Sequence, residues 1–283
     1  MPIRPRTALL GAAGCTALLA LVWLAAFHVA FFRHLDQSIY LQFGGLHDHG
    51  GIERIAGHFV TLFDPNPYVY LVLLPLVVAL LRGRPRVVLA VGAIVLGANV
   101  TTEVLKHVLV LPRPGSLFVG GVSPLPAGSW PSGHSTAVMA LVLASVLAAP
   151  ARLRPAVAAA GAILSIAVGY SLLAASVHYP SDVFGGFLVA AMWTLATVAT
   201  LLAVERRRPT ARGSGSRVSM RAALGAPGAV LLCALGLGAI LLAIHPHDLI
   251  AYVRGHQAFV VGAGGIAALS LALSTGVVLS LRR

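Results

Sequence analysis

The sequence predicts an all-α, polytopic membrane protein, and three observations support this prediction. Hydrophobic residues make up 58% of the chain and charged residues only 10%, whereas soluble domains average about 25% charged residues. The apolar residues are grouped in long runs of the kind that cross a bilayer. The basic residues lie mainly in short links between these runs. The net charge of +12 therefore gives little support to nucleic-acid binding.

The apolar runs predict eight membrane-spanning helices. The first follows Arg4 and Arg6 and is interpreted as a retained helix, because it is too long for a signal-peptide core and lacks a convincing cleavage site. The second is short for a span, but Asp64 and the prolines after it provide a rigid start. In order, the runs are Ala8–Phe32, Tyr68–Leu81, Val87–Leu111, Ser132–Ala149, Pro155–Val177, Val183–Val204, Ala222–Ile244 and Ala258–Leu281.

The polar segments between the runs suggest how the chain is organised. Residues 33–67 contain a helically spaced apolar face from Ile52 to Val60, which predicts an interfacial helix on the outer membrane surface. Residues 205–221 combine six arginines with Gly, Ser and Pro, as expected for a flexible basic cytoplasmic linker. We therefore expect a transmembrane core over residues 1–204, then this linker, then a C-terminal helix pair over residues 222–283.

The positions of the basic residues predict the orientation. Alternating eight helices from a cytoplasmic N-terminus places fifteen of the twenty lysines and arginines on the cytoplasmic side, in agreement with the positive-inside rule. Both termini are then cytoplasmic and the polar clusters described next face outwards. We expect a multi-pass protein of the plasma membrane.

Three polar clusters stand at the ends of apolar runs. Ser132 precedes a run and is a predicted N-cap; the free N–H groups of such a helix start bind anions, and Gly133 allows a phosphate to approach closely. His178 and Asp182 lie at the next helix junction, where a carboxylate can fix the tautomer of a reactive imidazole. Each cluster also has a purely structural interpretation, as a capped helix or an interfacial histidine.

The remaining cluster is cationic. Lys106 lies near the end of the third run, and Arg113 stands between two prolines that restrict the backbone. A rigidly placed guanidinium is suited to phosphate oxygens. Alternatively, Lys106 pairs with Glu103 three residues earlier, and Arg113 is an interfacial anchor.

The three clusters together carry a family resemblance. Lys106-x6-Arg113-Pro114, Pro131-Ser132-Gly133-His134 and Ser171-x6-His178-x3-Asp182 occur in this order. The combination resembles the type 2 phosphatidic acid phosphatase superfamily, membrane lipid phosphatases related to the vanadium haloperoxidases, over about residues 30–204. The resemblance implies a six-helix core, to which the two C-terminal helices would be an addition.

The resemblance also implies roles for individual residues. His178 would attack phosphorus and form a phosphohistidine, His134 would protonate the leaving oxygen, and Asp182 would orient His178. The residues expected to bind the substrate phosphate are Lys106, Arg113, Ser132, Gly133 and Ser171.

One position departs from the family pattern. The third motif of the family has Arg immediately after its Ser, whereas Leu172 follows Ser171 here. A charged phosphate contact would then be missing, and losing one transition-state donor costs about 10²–10³ in rate. The other arginines predicted on the outer face, Arg33, Arg54 and Arg254, are candidates to replace it.

The resulting expectation is a metal-independent, cofactor-free phosphatase acting on a lipid phosphate or diphosphate at the outer face. An undecaprenyl diphosphate-type carrier, phosphatidic acid and phosphatidylglycerol phosphate all fit the sequence. Two alternatives remain: a catalytically weak or inactive protein that binds lipid phosphate, and a lipid phosphotransferase in which another acceptor takes the phosphoryl group.

Overall fold

The computed structural model describes residues 5–46, 51–113, 115, 117–118, 123–208 and 219–281. These residues contain helices and no strand, which confirms the all-α prediction. In chain order the helices are α1 (Pro5–His28), α2 (Ala30–Gly44), α3 (Ile52–Thr61), α4 (Pro65–Leu81), α5 (Pro85–Val108), α6 (Gly133–Ala148), α7 (Arg154–Ala174), α8 (Pro180–Arg207), α9 (Met220–Ile244), α10 (Pro246–Gly255) and α11 (Gln257–Ser280).

The helices have the lengths and compositions of a multi-pass membrane protein. Among the described residues, six helices are long and apolar enough to cross a membrane, namely α1, α5, α7, α8, α9 and α11. The pair α3 and α4 is bent by 65° and would make a seventh span. Helix α6 is shorter, with 16 residues, which corresponds to about 24 Å at 1.5 Å per residue.

Helix α6 is the centre of the bundle. All of its residues from Ser135 to Ala148 except Ser145 are buried, and it packs against α4, α5, α7 and α8. A helix that is apolar all round is buried on every side rather than on one stripe, which explains why the sequence of α6 shows no polar face. The first turn of this central helix carries the second polar cluster.

The structure corrects several predicted helix boundaries. The expected helix Ala8–Phe32 is two helices, because Val29 is extended (φ −107°, ψ 115°) between α1 and α2. The expected helix Val87–Leu111 ends at Val108, ahead of Pro112, whose ring disfavours helical geometry at the residue before it. The linker predicted over 205–221 is helical up to Arg207, and its residues 209–218 lie outside the described part.

The polar segment 33–67 also differs from its prediction in part. The expected amphipathic helix is α3, which buries Ala56. Helix α2, by contrast, packs into the bundle against α7 and α11 and buries five side chains, those of Asp36, Gln37, Ile39, Tyr40 and Phe43. A buried carboxylate in this segment was not predicted.

The two long C-terminal helices pack differently from each other. Helix α11 contacts α2, α7 and α8 and is joined to α7 by two hydrogen bonds, from Tyr170 Oη to the Ala263 carbonyl (2.8 Å) and from Ser270 Oγ to the Ala162 carbonyl (3.1 Å). Most of α9 is exposed, including Leu231, Leu232 and Leu235. Helix α11 therefore contributes to the core of the bundle, whereas α9 lies at its edge.

Candidate active site

The N-terminal ends of α6 and α8 are joined by hydrogen bonds. Ser132 is the N-cap of α6, as predicted, and its Oγ accepts a hydrogen bond from the Ser135 N–H (3.3 Å). The Ser132 N–H donates to the carbonyl oxygen of Asp182 (3.0 Å), and Trp130 Nε1 donates to the carbonyl oxygen of Ser181 (3.1 Å). These two bonds bring the second and third sequence motifs into direct contact.

The close contact of α8 with α6 depends on Gly186. A Cβ at this position would lie 2.7 Å from the Ser132 carbonyl oxygen and 2.8 Å from the backbone nitrogen of Thr136. Both atoms are backbone, so only a shift of α6 could make room for a side chain. The absence of a Cβ thus allows the first turn of α6 to sit directly on α8.

Gly186→Ala is therefore expected to displace the start of α6 and with it His134. Overpacking of this kind costs typically 1–3 kcal/mol of stability, and we expect any catalytic activity of this site to fall at least about tenfold because His134 is misplaced. The matched control is Gly92→Ala on α5, where a Cβ would meet no atom within 4 Å. Equal thermal stability and activity of the two variants would contradict this packing argument.

A tight turn after α7 places His178 next to the start of α8. Ser176 adopts the left-handed conformation (φ 56°); its N–H donates to the Leu173 carbonyl and the next N–H, of Val177, donates to the Leu172 carbonyl. This is the Schellman arrangement that ends many helices, usually with Gly at the left-handed position. The Tyr40 hydroxyl of α2 stabilises this turn by donating a hydrogen bond to the Ser176 carbonyl oxygen (3.0 Å).

His178 is paired with a fully buried carboxylate. Its Nδ1 lies 3.2 Å from Asp182 Oδ2, and the same carboxylate oxygen accepts the Tyr179 N–H (3.0 Å). Asp182 is 0% exposed. It occupies the third position of α8 rather than the N-cap, since the helix begins at Pro180. The expected His–Asp pair is therefore present, with the carboxylate behind the imidazole.

Lys106 lies beside the start of α6. Its Nζ donates to Glu103 Oε1 (2.7 Å), which confirms the predicted pairing within α5. A Cβ at Gly133 would lie only 3.2 Å from Lys106 Nζ, so the ammonium group is close to the α6 N-terminus. The Glu103 side chain is 58% exposed, and ion pairs of this kind contribute little to stability.

His134 faces His178 and has a carboxylate of its own. The two imidazole ring centres are 6.4 Å apart. His134 Nε2 lies 2.9 Å from Asp64 Oδ1, and Asp64 is the N-cap residue of α4 but makes no capping hydrogen bond with its side chain. Asp64 therefore joins α4 to the site, a role that the sequence did not indicate.

Arg113 is the most confined cation of the site, with a side chain that is 7% exposed. Its Nη1 donates to Asp36 Oδ2 (2.8 Å) and Ser181 Oγ (3.0 Å), and its Nη2 donates to Asp182 Oδ1. The guanidinium carbon lies 4.6 Å from the ring centre of Phe27 and 4.5 Å from that of Tyr179. Both Nη atoms are thus bonded to protein groups, and contact with a substrate phosphate stays a prediction.

The buried acids and phenols around Arg113 have altered proton affinities. Burial raises the pKa of Asp36 and the charge of Asp182 adds to this effect, whereas Arg113 and the Ser181 hydrogen bonds act in the opposite direction. Burial likewise raises the pKa of Tyr179 to about 12, so its phenol stays protonated at neutral pH. The Tyr179 hydroxyl lies 2.8 Å from Ser123 Oγ.

The raised pKa of Asp36 predicts how stability changes with pH. The folded protein binds this proton more tightly than the unfolded chain, whose Asp pKa is about 3.9. The contribution of this proton to the stability of the folded protein is complete below the pKa of the unfolded chain. It is lost as the pH rises through the pKa of Asp36 in the folded protein. As the pH rises from about 4, wild type is therefore expected to lose more apparent melting temperature than Asp36→Asn in the same detergent. An equal or larger loss in Asp36→Asn would refute the assigned direction.

Ser171 and Leu172 lie in the last turns of α7 and are both buried. Leu172 is 0% exposed and belongs to the apolar core. Neither side chain takes part in the hydrogen bonds that join His134, His178, Asp182 and Arg113 to their partners. The structure therefore brings together Lys106, Gly133, His134, His178, Asp182 and Arg113, while Ser132 uses its hydroxyl as a cap and Ser171 stays in the helix packing.

The fold and the site define a multi-pass helical membrane protein with a histidine–aspartate centre at one end of its bundle. The family model of the PAP2 superfamily matches residues 87–206. This match is consistent with the resemblance to the type 2 phosphatidic acid phosphatase superfamily that the three motifs predicted, and the matched superfamily suggests phosphatase-type hydrolase activity in general. Comparisons with curated proteins and with solved structures gave no match.

Proposed function

We propose that this protein is an integral membrane phosphatase that hydrolyses a lipid phosphate or diphosphate through a phosphohistidine on His178. The hydrogen bond between His178 Nδ1 and the buried Asp182 carboxylate carries this proposal. When Nδ1–H donates to the carboxylate, the lone pair of the neutral ring is on Nε2. The pair therefore prepares one specific atom for attack.

In the first step, His178 Nε2 forms a bond to phosphorus and the bond from phosphorus to the lipid oxygen breaks. His134 lies across from His178 and donates a proton to the departing oxygen. Because Asp64 holds His134 Nε2, the nitrogen available for this transfer is Nδ1. In the second step, water attacks phosphorus, the phosphorus–nitrogen bond breaks, and the neutral His134 accepts the proton of the water.

The phosphate oxygens need donors and positive charge close to these two rings. The N-terminus of α6 supplies free N–H groups and the positive end of a helix dipole, and Lys106 Nζ lies beside Gly133. Lys106 can exchange its exposed partner Glu103 for a phosphate oxygen at little energetic cost, since exposed ion pairs are weak. This corner of the bundle is thus suited to a phosphate group.

The opposite end of the bundle supports an outward-facing site. Arg82 bonds to the Ala148 carbonyl at the end of α6 (2.6 Å), and Arg86 pairs with Glu205 at the end of α8 (3.0 Å). His134 and Asp182 lie in the first turns of these same helices. Since arginine-rich ends face the cytoplasm, we propose an extracytoplasmic site in the plasma membrane, which a lipid can reach with its head group from within the bilayer.

Phosphate release by the purified protein in detergent tests this proposal. The substrates are undecaprenyl diphosphate, phosphatidic acid and phosphatidylglycerol phosphate, each with and without EDTA. We expect release from at least one lipid that persists in EDTA, falls to the protein-free level in His178→Ala, and is unchanged in the exposed control His58→Ala. Release from no lipid would overturn the proposal and favour a lipid-phosphate-binding protein, whereas transfer to an added alcohol without free phosphate would favour a phosphotransferase.

A further inference from the structure

Asp36 lies outside the matched segment yet is bonded to the centre of the site. It is 7% exposed on α2. Its Oδ1 accepts the Ser181 N–H (2.9 Å), and its Oδ2 accepts the Ser181 hydroxyl (2.7 Å) and Arg113 Nη1 (2.8 Å). One carboxylate thus receives three hydrogen bonds from the loop after α5 and the first turn of α8.

These bonds continue directly to the reactive histidine. Arg113 uses one terminal nitrogen for Asp36 and the other for Asp182, and Asp182 in turn bonds to His178. Two carboxylates therefore share a single guanidinium. The rings of Phe27 and Tyr179 cover it at 4.6 and 4.5 Å, which limits its movement.

Helix α2 is itself held in place at several points. Tyr40 bonds to the turn before His178, and Gln42 Oε1 accepts the Phe259 N–H of α11 (2.6 Å). The extended residue Val29 separates α2 from α1, so α2 can take a different direction from that of the preceding helix. Asp36 consequently approaches Arg113 from a rigid element.

We infer that Asp36 is a positioning residue of the catalytic site. It acts through Arg113 and Ser181 to hold the Asp182 carboxylate in place for its hydrogen bond with His178. Helix α2 then supports the catalytic site, and Arg113 compensates the negative charges of Asp36 and Asp182 and orients both carboxylates. Without Asp36, the full charge of Arg113 acts on Asp182 and weakens its support of the imidazole. This inference depends on the proposed function only for its kinetic test.

The kinetic test compares Asp36→Asn with Asp248→Asn, a matched change of an exposed carboxylate on α10. We expect Asp36→Asn to lower kcat per folded protein about 10- to 100-fold, as for other residues that orient a reactive group, with KM changed less than about threefold. Asp248→Asn should match wild type. An unchanged kcat, or an effect confined to KM, would overturn the inference.

Non-additivity separates positioning from general destabilisation. If Asp36 acts through Asp182, adding Asp36→Asn to Asp182→Asn should lower kcat by less than about threefold further, because residues of one network do not act independently. If the full loss of Asp36→Asn reappears in the double variant, Asp36 acts by another route and the inference fails.

A measurement without turnover keeps the inference separate from the proposed function. Modification of His178 by diethyl pyrocarbonate, followed by mass spectrometry, reports the nucleophilicity of its ring. We expect modification at least about threefold slower in Asp36→Asn than in wild type and Asp248→Asn, which corresponds to a modest loss of support from Asp182. If wild type released no phosphate, the proposed function would fail, but equal labelling rates alone would overturn the role of Asp36.

Discussion

Asp182→Asn is expected to lower kcat by about 10³- to 10⁴-fold, because an amide cannot reproduce the hydrogen bonds of this carboxylate. Asp182 accepts from Arg113 on one oxygen and from His178 and Tyr179 on the other. An Asn side chain must turn its NH₂ group towards one of these sets of donors. The wrong imidazole tautomer that follows is the cause of losses of this size in comparable Asp–His pairs.

The folded protein should nevertheless survive this substitution. Arg113 retains Asp36 as a partner, so Asp182→Asn leaves no buried guanidinium without a counter-charge, and the expected cost is one unsatisfied group, about 1–3 kcal/mol. Kinetics and thermal unfolding in the same detergent provide the check. Asp182→Asn with more than about a tenth of wild-type kcat would show that Asp182 does not prepare His178.

Leu172→Arg is expected to destabilise the protein by several kcal/mol, although Arg is the residue of the family pattern at this position. Leu172 is fully buried in the apolar core, and an unpaired charge in such a place carries a desolvation cost of several kcal/mol. The matched control is Leu172→Met, which conserves volume and should cost less than about 1.5 kcal/mol.

The yield of monodisperse protein and its melting temperature measure this effect. We expect Leu172→Arg to lower both strongly and Leu172→Met to lower neither by much. A Leu172→Arg variant that is as stable as wild type and has a higher kcat would contradict this account. It would show instead that residue 172 can reach the phosphate and that its charge is missing in the natural sequence.

Local parts of the site could be predicted from the sequence. The cap at Ser132 and the pair of Lys106 with Glu103 join residues close together in the chain, and short-range rules for helices describe them well. His178 and Asp182 are four residues apart, so their pairing was also a short-range expectation, but the position of Asp182 inside the first turn of α8 rather than at its cap required the structure. The ordered motifs predicted that the clusters would meet.

The supporting contacts could not be predicted in this way. Asp36 is 77 residues from Arg113, and Asp64 is 70 residues from His134, so only the packing of α2 and α4 brings them together. The break at Val29, which starts α2, has no Gly or Pro at that position. The burial of Leu172 depends on the tertiary packing of α7 in the same manner.

Detection of the phosphohistidine is the most direct test of nucleophilic catalysis by His178. Protein is mixed briefly with a ³²P-labelled lipid phosphate that it hydrolyses, quenched under alkaline conditions, and mapped by proteolysis and mass spectrometry. We expect one labelled peptide containing His178, which is lost in His178→Ala and retained in His58→Ala. Turnover with no covalent label, or a label on a residue other than His178, would contradict it.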